Sequence, residues 1–108
     1  MIHIDFVHGP KIGVLCPTYA ECVDLFQFLR AETDVRWAGG SDLLKDEWNY
    51  KREATVYLFG SAPAGMQIVG WLYFLEHYST FTPMTVESFI SLFRQEEDTC
   101  APDIADLL

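Results

Sequence analysis

Positive charge is scarce in this sequence. Seven lysines and arginines stand against sixteen aspartates and glutamates, which gives a formal net charge of −9 over 108 residues. Because proteins hold a nucleic-acid backbone with clustered cations, this balance argues against direct binding of DNA or RNA. It fits a soluble protein, or one that meets a basic surface on another protein.

Cysteines and long apolar runs are scarce as well. The three cysteines are odd in number and lack metal-ligand spacing, so we expect neither a disulfide framework nor a metal site, and we infer a reducing compartment. No apolar run reaches the roughly 20 residues needed to cross a bilayer, and the N-terminus lacks the basic and apolar regions of a signal peptide. The sequence therefore predicts a cytoplasmic protein that has no contact with membranes.

The motifs of common catalytic sites are missing too. Gly39-Gly40 and the segment 60–65 lack the spacing and the Lys-Ser/Thr pair of a phosphate-binding loop, and no serine lies in a nucleophile elbow. Cys16 and Cys22 can meet a histidine only through the fold, and a buried structural thiol is the alternative for both. Glu76-His77 can act as an acid–base pair or simply end a strand at the surface. We predict that the chain is not an enzyme and binds no cofactor.

The clearest element that is present is a helix after Pro17. Half of all residues are hydrophobic and 15% are aromatic, enough for one domain with its own core. Thr18 and Glu21 have the spacing of a capping box at the helix start. Apolar residues then recur at i, i+3, i+4 and i+7 and form one core-facing stripe: Cys22, Leu25, Phe26 and Leu29.

A second helix is predicted from Thr85, a good N-cap, to about Arg94. Its apolar residues repeat the same spacing: Val86, Phe89, Ile90 and Phe93. Because both stripes need a sheet face to cover them, we expect the two helices to share one core, which also contains Trp37.

Strand-like composition recurs along the rest of the chain, in segments 2–7, 12–16, 35–37, 54–59 and 66–75. The first two flank a Gly-Pro turn and are predicted to form a hairpin. The last is also long enough for a buried helix, but Gly70 and the turn before it favour a strand. The predicted fold class is therefore α+β, a mostly antiparallel sheet of about five strands with two packed helices, in the order ββαβββα.

Two stretches lie outside these elements. Residues 41–53, here called the connector, mix charged and aromatic side chains, and the sequence allows either a short helix or a loop. Residues 95–108 contain five acidic and no basic side chains, and Pro102 prevents a continuous helix there. We therefore predict a single α+β domain, residues 1–94, followed by an acidic C-terminal tail, residues 95–108.

Short motifs in the chain resemble a group of small bacteriophage and prophage accessory proteins. The first is the V-R-W-x-x-G pattern of Val35, Arg36, Trp37 and Gly40. The second is the closing T-x-E-S-F helix, formed by Thr85, Glu87, Ser88 and Phe89. The similarity covers roughly residues 11–94, and it implies a role like that of phage proteins that inhibit bacterial antiviral defence.

Acidity suggests a first binding function. The chain would be an anti-CRISPR-like inhibitor that blocks a nucleic-acid-handling host defence protein in the bacterial cytoplasm. Its carboxylates would compete with phosphates for the lysines and arginines of that partner. The predicted protein-binding residues are the acids of the tail: Glu96, Glu97, Asp98, Asp103 and Asp106.

The alternative is a sponge that sequesters an anionic nucleotide signal by stacking and charge-assisted contacts. On a strand, Arg36 points away from Trp37, so burial of Trp37 would turn Arg36 outward. The predicted ligand-binding residues combine this arginine with side chains of the connector: Arg36, Trp48, Tyr50, Lys51 and Arg52. A structural accessory role and a homo-oligomer remain open.

Overall fold

The computed structural model describes residues 1–98 of the chain, with side chains up to Arg94. The fold is α+β, as the sequence predicts. Its helices and strands are, in chain order, β1 (Ile12–Leu15), α1 (Tyr19–Glu32), β2 (Thr55–Phe59), β3 (Gln67–Gly70), α2 (Trp71–His77), β4 (Thr82–Thr85) and α3 (Val86–Asp98). Two short 3-10 helices, Trp48–Tyr50 and Arg52–Ala54, lie between α1 and β2.

The sheet is mixed and four-stranded, in the order β3-β2-β1-β4, which corrects the expected five antiparallel strands. β1 and β4 run parallel, whereas the other pairs are antiparallel, and Val14 lies opposite Tyr57 on β2 and Met84 on β4. Successive residues of β2 point to opposite faces. Tyr57 joins the core under α1 and α3, and Val56 and Leu58 join the core under α2. Helices therefore cover both faces of the sheet.

Helix α1 is confirmed together with its cap. Thr18 Oγ1 accepts a hydrogen bond from the Glu21 N–H at 3.3 Å and donates one to the Glu21 carboxylate at 2.8 Å. All four residues of the predicted apolar stripe are buried. Phe28, which lies off that stripe, is buried as well because it meets Phe89 of α3 edge to face, with ring centroids 6.3 Å apart.

Helix α3 is confirmed at its start and extends further than predicted. Thr85 Oγ1 accepts the N–H of Ser88 at 3.1 Å, which is the expected N-cap contact. The stripes of α1 and α3 lie in one core cluster, and Trp37 packs against it half-buried. The helix continues to Asp98, so the predicted boundary after residue 94 falls inside it.

The predicted strand at residues 2–7 is wrong, and so is its hairpin with the next strand. Ile2 forms a single bridge to the end of α1, and the chain then turns around Asp5. The Asp5 Oδ1 accepts the N–H groups of Val7 and His8 at 2.8 and 3.0 Å. The carboxylate thus bonds backbone donors that a β-ladder would otherwise use, and β1 pairs instead with β2 and β4.

The predicted strand at residues 66–75 is wrong beyond Gly70. There β3 ends and α2 begins, with Gly70 as the N-cap. Phe74 packs over Gly13 of β1, where an added Cβ would lie 2.3 Å from the Phe74 ring. A continued strand would leave this sheet face uncovered, so burial of apolar surface favours the helix over the extended chain.

Strand β4 occupies a segment for which the sequence predicts no strand. Its first residue, Thr82, donates its N–H to the Lys11 carbonyl at 2.9 Å and so joins β1. Because backbone groups alternate along a strand, the nitrogen of Pro83 faces the free edge of the sheet. A proline is tolerated there, since it has no N–H to pair.

The predicted strand at residues 35–37 is also wrong, because only Trp37 forms a bridge, to Met66 before β3. The connector that follows is irregular apart from its 3-10 turns. Trp48 holds it against the domain by donating its Nε1–H to the Cys16 carbonyl at 2.9 Å. The open choice between helix and loop is therefore resolved as a loop with short 3-10 segments.

Candidate functional site

A groove between α1 and α3 collects acidic side chains. Its volume is about 810 Å³, and Phe28 and Ile90 supply apolar lining. The charged residues that line it are Glu21, Asp24 and Glu32 from α1, and Glu87 and Arg94 from α3. Four carboxylates therefore accompany one guanidinium along the groove.

The acidic lining follows from the way the two helices pack. Their apolar stripes face the sheet, so the polar positions beside each stripe meet at the surface between the helices. Glu21 and Glu87 each lie in the first turn of their helix, where the positive end of the helix dipole stabilises a carboxylate. Local helix chemistry and packing thus place like charges along one groove.

An ion pair links the two helices at one end of the groove. Arg94 donates from Nε to Glu32 Oε1 at 3.1 Å and from its terminal nitrogen to Glu32 Oε2 at 2.5 Å. This bidentate contact lowers the pKa of the Glu32 carboxyl. The same guanidinium lies over the Phe28 ring, 5.4 Å from its centroid. Glu32 therefore stays ionised, and the positive charge of Arg94 compensates its negative charge.

The other acids of the groove carry less compensation. Glu21 accepts the hydroxyl hydrogen bond of its own N-cap residue. Among the side chains of residues 1–94, no basic group forms an ion pair with Asp24 or Glu87. Their charge is available to a cation that enters the groove.

The tail acids of the first hypothesis lie mostly beyond what the structure describes. The backbone of Glu96, Glu97 and Asp98 forms the last turn of α3, but their side chains lie outside the described residues. Asp103 and Asp106 lie outside them entirely. The groove acids were absent from the sequence prediction, although Glu21 and Asp24 flank the α1 stripe at helical spacing and could have been found by that signal.

The residues of the second hypothesis lie in different places. Arg36 is exposed, as expected from the half-burial of Trp37, and its guanidinium lies 3.4 Å from the Asp42 carboxylate. Tyr50 lines a recess of about 470 Å³ in the connector, whereas Lys51 lines a cleft of about 600 Å³ beside α2. Arg36 lines neither of these two recesses, so the structure does not bring these three side chains into one of them.

The remaining residues of that hypothesis are Trp48 and Arg52. Trp48 is half-buried, with its ring centroid 5.5 Å from that of Tyr19 on α1. Arg52 has a positive φ of 50°, a backbone conformation that is uncommon for a residue other than glycine. Trp48 therefore has limited free surface on which a nucleotide base could stack.

Cys16 and Cys22 form a buried polar cluster with Tyr57. The Tyr57 hydroxyl donates to the Asp46 carbonyl at 2.5 Å and lies 3.3 Å from the Cys22 sulfur. Because a hydroxyl has one hydrogen, Cys22 is the donor in the second contact. A hydrogen bond with Cys22 and burial raise the pKa of the Cys16 thiol, and burial raises the pKa of Tyr57. The hydrogen bond with Cys16 lowers the pKa of the Cys22 thiol, although burial opposes this shift. The three groups therefore bond one another inside the core.

The histidines lie elsewhere. His3, His8 and His77 are all exposed, and they lie beside the carboxylates of Asp34, Asp5 and Glu76 respectively. The structure records no hydrogen bond from any of them to a thiol within the described residues, so the Cys–His arrangement that the sequence left open has no geometric support there.

Residues 1–98 contain neither a metal-binding cluster nor a membrane-spanning helix. This part of the chain contains no group of three or more His, Cys, Asp or Glu side chains placed to hold a metal ion. None of its helices combines the length and the apolar character needed to cross a membrane.

Comparison with known proteins adds no relative. No protein-family model matches the chain, and no curated protein or solved structure matches it significantly.

Proposed function

We propose that this chain is an acidic protein-binding module that takes a basic segment of a partner into the groove between α1 and α3. The observation that carries the proposal is an 810 Å³ groove lined by four carboxylates and one guanidinium. Among the side chains of residues 1–94, a basic group pairs only with Glu32 of these four acids. A concave surface lined by one sign of charge attracts the opposite charge and steers association. The apolar lining offers contact to the aliphatic stems of lysine and arginine.

The partner class follows from charge and from the resemblance to phage accessory proteins. Proteins that handle nucleic acids present lysines and arginines to phosphates, and a carboxylate groove competes for the same cations. We extend the proposal to a host antiviral-defence protein as the target, since some of the resembling proteins inhibit such systems. We extend the proposal to the acids of the tail, which would compete for the same cations.

The expected strength of each contact is modest. An exposed ion pair contributes about 0.2–1 kcal/mol, because solvent screens it and ordering the side chains costs entropy. Several pairs must therefore act together, and the binding should weaken as salt rises, because the Debye length is only about 8 Å at physiological ionic strength.

Titration calorimetry with a short oligoarginine peptide tests the groove. We expect Glu87→Gln to weaken binding about 2–5-fold, the equivalent of one exposed ion pair, and Asp24→Asn combined with it to weaken binding further. The matched control is Glu53→Gln, which removes one exposed carboxylate outside the groove. If the control weakens binding as much as Glu87→Gln, net charge and not the groove is responsible.

Affinity purification from a bacterial host strain tests the partner class. We expect the parent chain to retain a nucleic-acid-binding protein, and added DNA or RNA to displace it. Retention that Asp24→Asn/Glu87→Gln leaves unchanged would contradict the proposed surface. Retention only of proteins that nucleic acid does not displace would contradict the proposed target class but not the groove.

A further inference from the structure

Helix α2 presents apolar side chains to solvent. Leu72 is 74% exposed, and Tyr73 and Leu75 are each 52% exposed. Only Phe74 of this helix is buried, against the sheet. Monomeric proteins rarely leave contiguous apolar patches of more than a few hundred Å² uncovered. No described residue covers these three side chains to the extent expected for a core position.

A cleft lies next to these exposed side chains of α2. The cleft between α2 and β3 has a volume of about 600 Å³, and its walls include Ile68, Trp71 and Tyr78. Leu72 and Tyr73 form one of its rims. The same patch therefore offers both a projection and a hollow, which is what a self-complementary two-fold interface requires.

The charges on this patch are few and lie at opposite ends of α2. Lys51 approaches the N-terminal end, since its Cδ lies 3.6 Å from the position of a Cβ on Gly70. Glu76 lies near the C-terminal end and is 74% exposed, and its carboxylate lies 3.8 Å from the Nε2 of the neighbouring His77. The acidic groove is on the other face of the sheet, because α1 and α3 pack there. Two copies can therefore approach by α2 without bringing their grooves together, although the chain carries a charge of −9.

We propose that two copies of this chain associate through α2, with the two helices antiparallel about a two-fold axis. This arrangement places the C-terminal end of each α2 beside the N-terminal end of the other. Glu76 of each copy then meets Lys51 of the other, and Leu72 of each copy enters the cleft of the other. Each contact occurs twice, as two-fold symmetry demands.

Pairing through the β3 edge, which lies next to α2, is the less favourable mode. At one end of β3, Met66 is already bonded to the carbonyl of Arg36 and the N–H of Ala38, at 2.8 and 2.9 Å. At the other end the chain turns into α2 after Gly70. Little of the β3 edge is left for a second strand to pair with, so side-chain packing must supply most of the stability of the dimer. A standard interface uses about 20–30 residues per partner, whereas α2 has 7 residues. We therefore expect a reversible dimer in the micromolar range or weaker.

Sedimentation equilibrium of the full chain over a wide concentration range tests the proposal. We expect the parent to shift from monomer to dimer as concentration rises. Leu72→Glu should weaken the dimer at least about 30-fold, as at an interface hot spot. The matched control is Leu44→Glu, because Leu44 is 81% exposed and lies outside the patch; its dimer should equal that of the parent.

A charge exchange tests the antiparallel arrangement. Lys51→Glu and Glu76→Lys should each weaken the dimer, and the double variant should recover the affinity of the parent. Circular dichroism of each variant shows whether the fold is intact. A parent that stays monomeric at every concentration overturns the proposal, as does equal weakening by Leu72→Glu and Leu44→Glu. Failure of the double variant to recover overturns the antiparallel geometry.

Discussion

The packing of Phe89 provides the sharpest test of the fold. Its side chain is fully buried, and its ring centroid lies 4.6 Å from that of Phe59 on β2 and 4.8 Å from that of Phe93. Phe28 of α1 approaches the same ring. One side chain thus joins α1, α3 and the sheet, so Phe89→Ala would remove contacts with all three elements at once.

The cost of Phe89→Ala can be set against the stability of the domain. Replacing a buried phenylalanine with alanine typically costs about 3–5 kcal/mol, out of about 5–15 kcal/mol for a whole domain. We expect the upper half of the first range, because neighbours on three separate elements cannot all collapse into the cavity. The melting temperature should then fall by about 16–40 °C, given about 4–8 °C per kcal/mol for a domain near this size.

Urea unfolding of parent and variant, followed by circular dichroism, measures this loss. The control is Leu44→Ala at a highly exposed position, which should change the free energy of unfolding by no more than about 0.5 kcal/mol. A loss of less than about 1 kcal/mol for Phe89→Ala would refute the packing of α1 and α3 against one sheet face.

Three further predictions concern other parts of the molecule. Gly13→Ala should destabilise the domain, since the new Cβ would lie 2.3 Å from Phe74, and Phe74→Leu should restore part of the loss in thermal melts. The His3–Asp34 hydrogen bond raises the pKa of His3, whereas the pKa of Asp34 is lowered by this bond although burial opposes it. His3 therefore contributes fully to the stability of the fold below its ordinary pKa of 6.5, and this contribution disappears as pH rises through the raised pKa. His3→Gln should abolish that part of the change in unfolding free energy between about pH 6 and pH 9. Identical pH profiles of the parent and the variant would contradict the contact. Calorimetry of the parent and Arg36→Ala against cyclic and linear nucleotides tests the sponge alternative: a charge-assisted contact predicts about tenfold weaker binding or more in the variant, whereas no binding by the parent rejects it.

Several parts of this protein are determined by local sequence. The N-caps of α1 and α3 and their apolar stripes depend on residues within two turns of each other, so periodicity and capping chemistry identified both helices. Strand β2 was found for a similar reason, because its uninterrupted apolar and β-branched run has high strand propensity in any context. Composition likewise determines that the surface is negatively charged, since an excess of carboxylates must be exposed somewhere on the fold.

Other parts were decided only by tertiary structure. The run after Gly70 is apolar enough for a strand or a helix, and it became α2 because Phe74 covers the bare backbone of Gly13 on a distant strand. β4 has an exposed pattern that lacks a strand signature, and it exists because β1 offers an open edge. The acidic groove likewise arises only when α1 and α3 pack side by side, which brings together Glu32 and Arg94, 62 residues apart in the chain. Local sequence determines the conformation of a segment where its propensity and its apolar periodicity agree. Where these two signals conflict, burial against residues distant in the chain determines it.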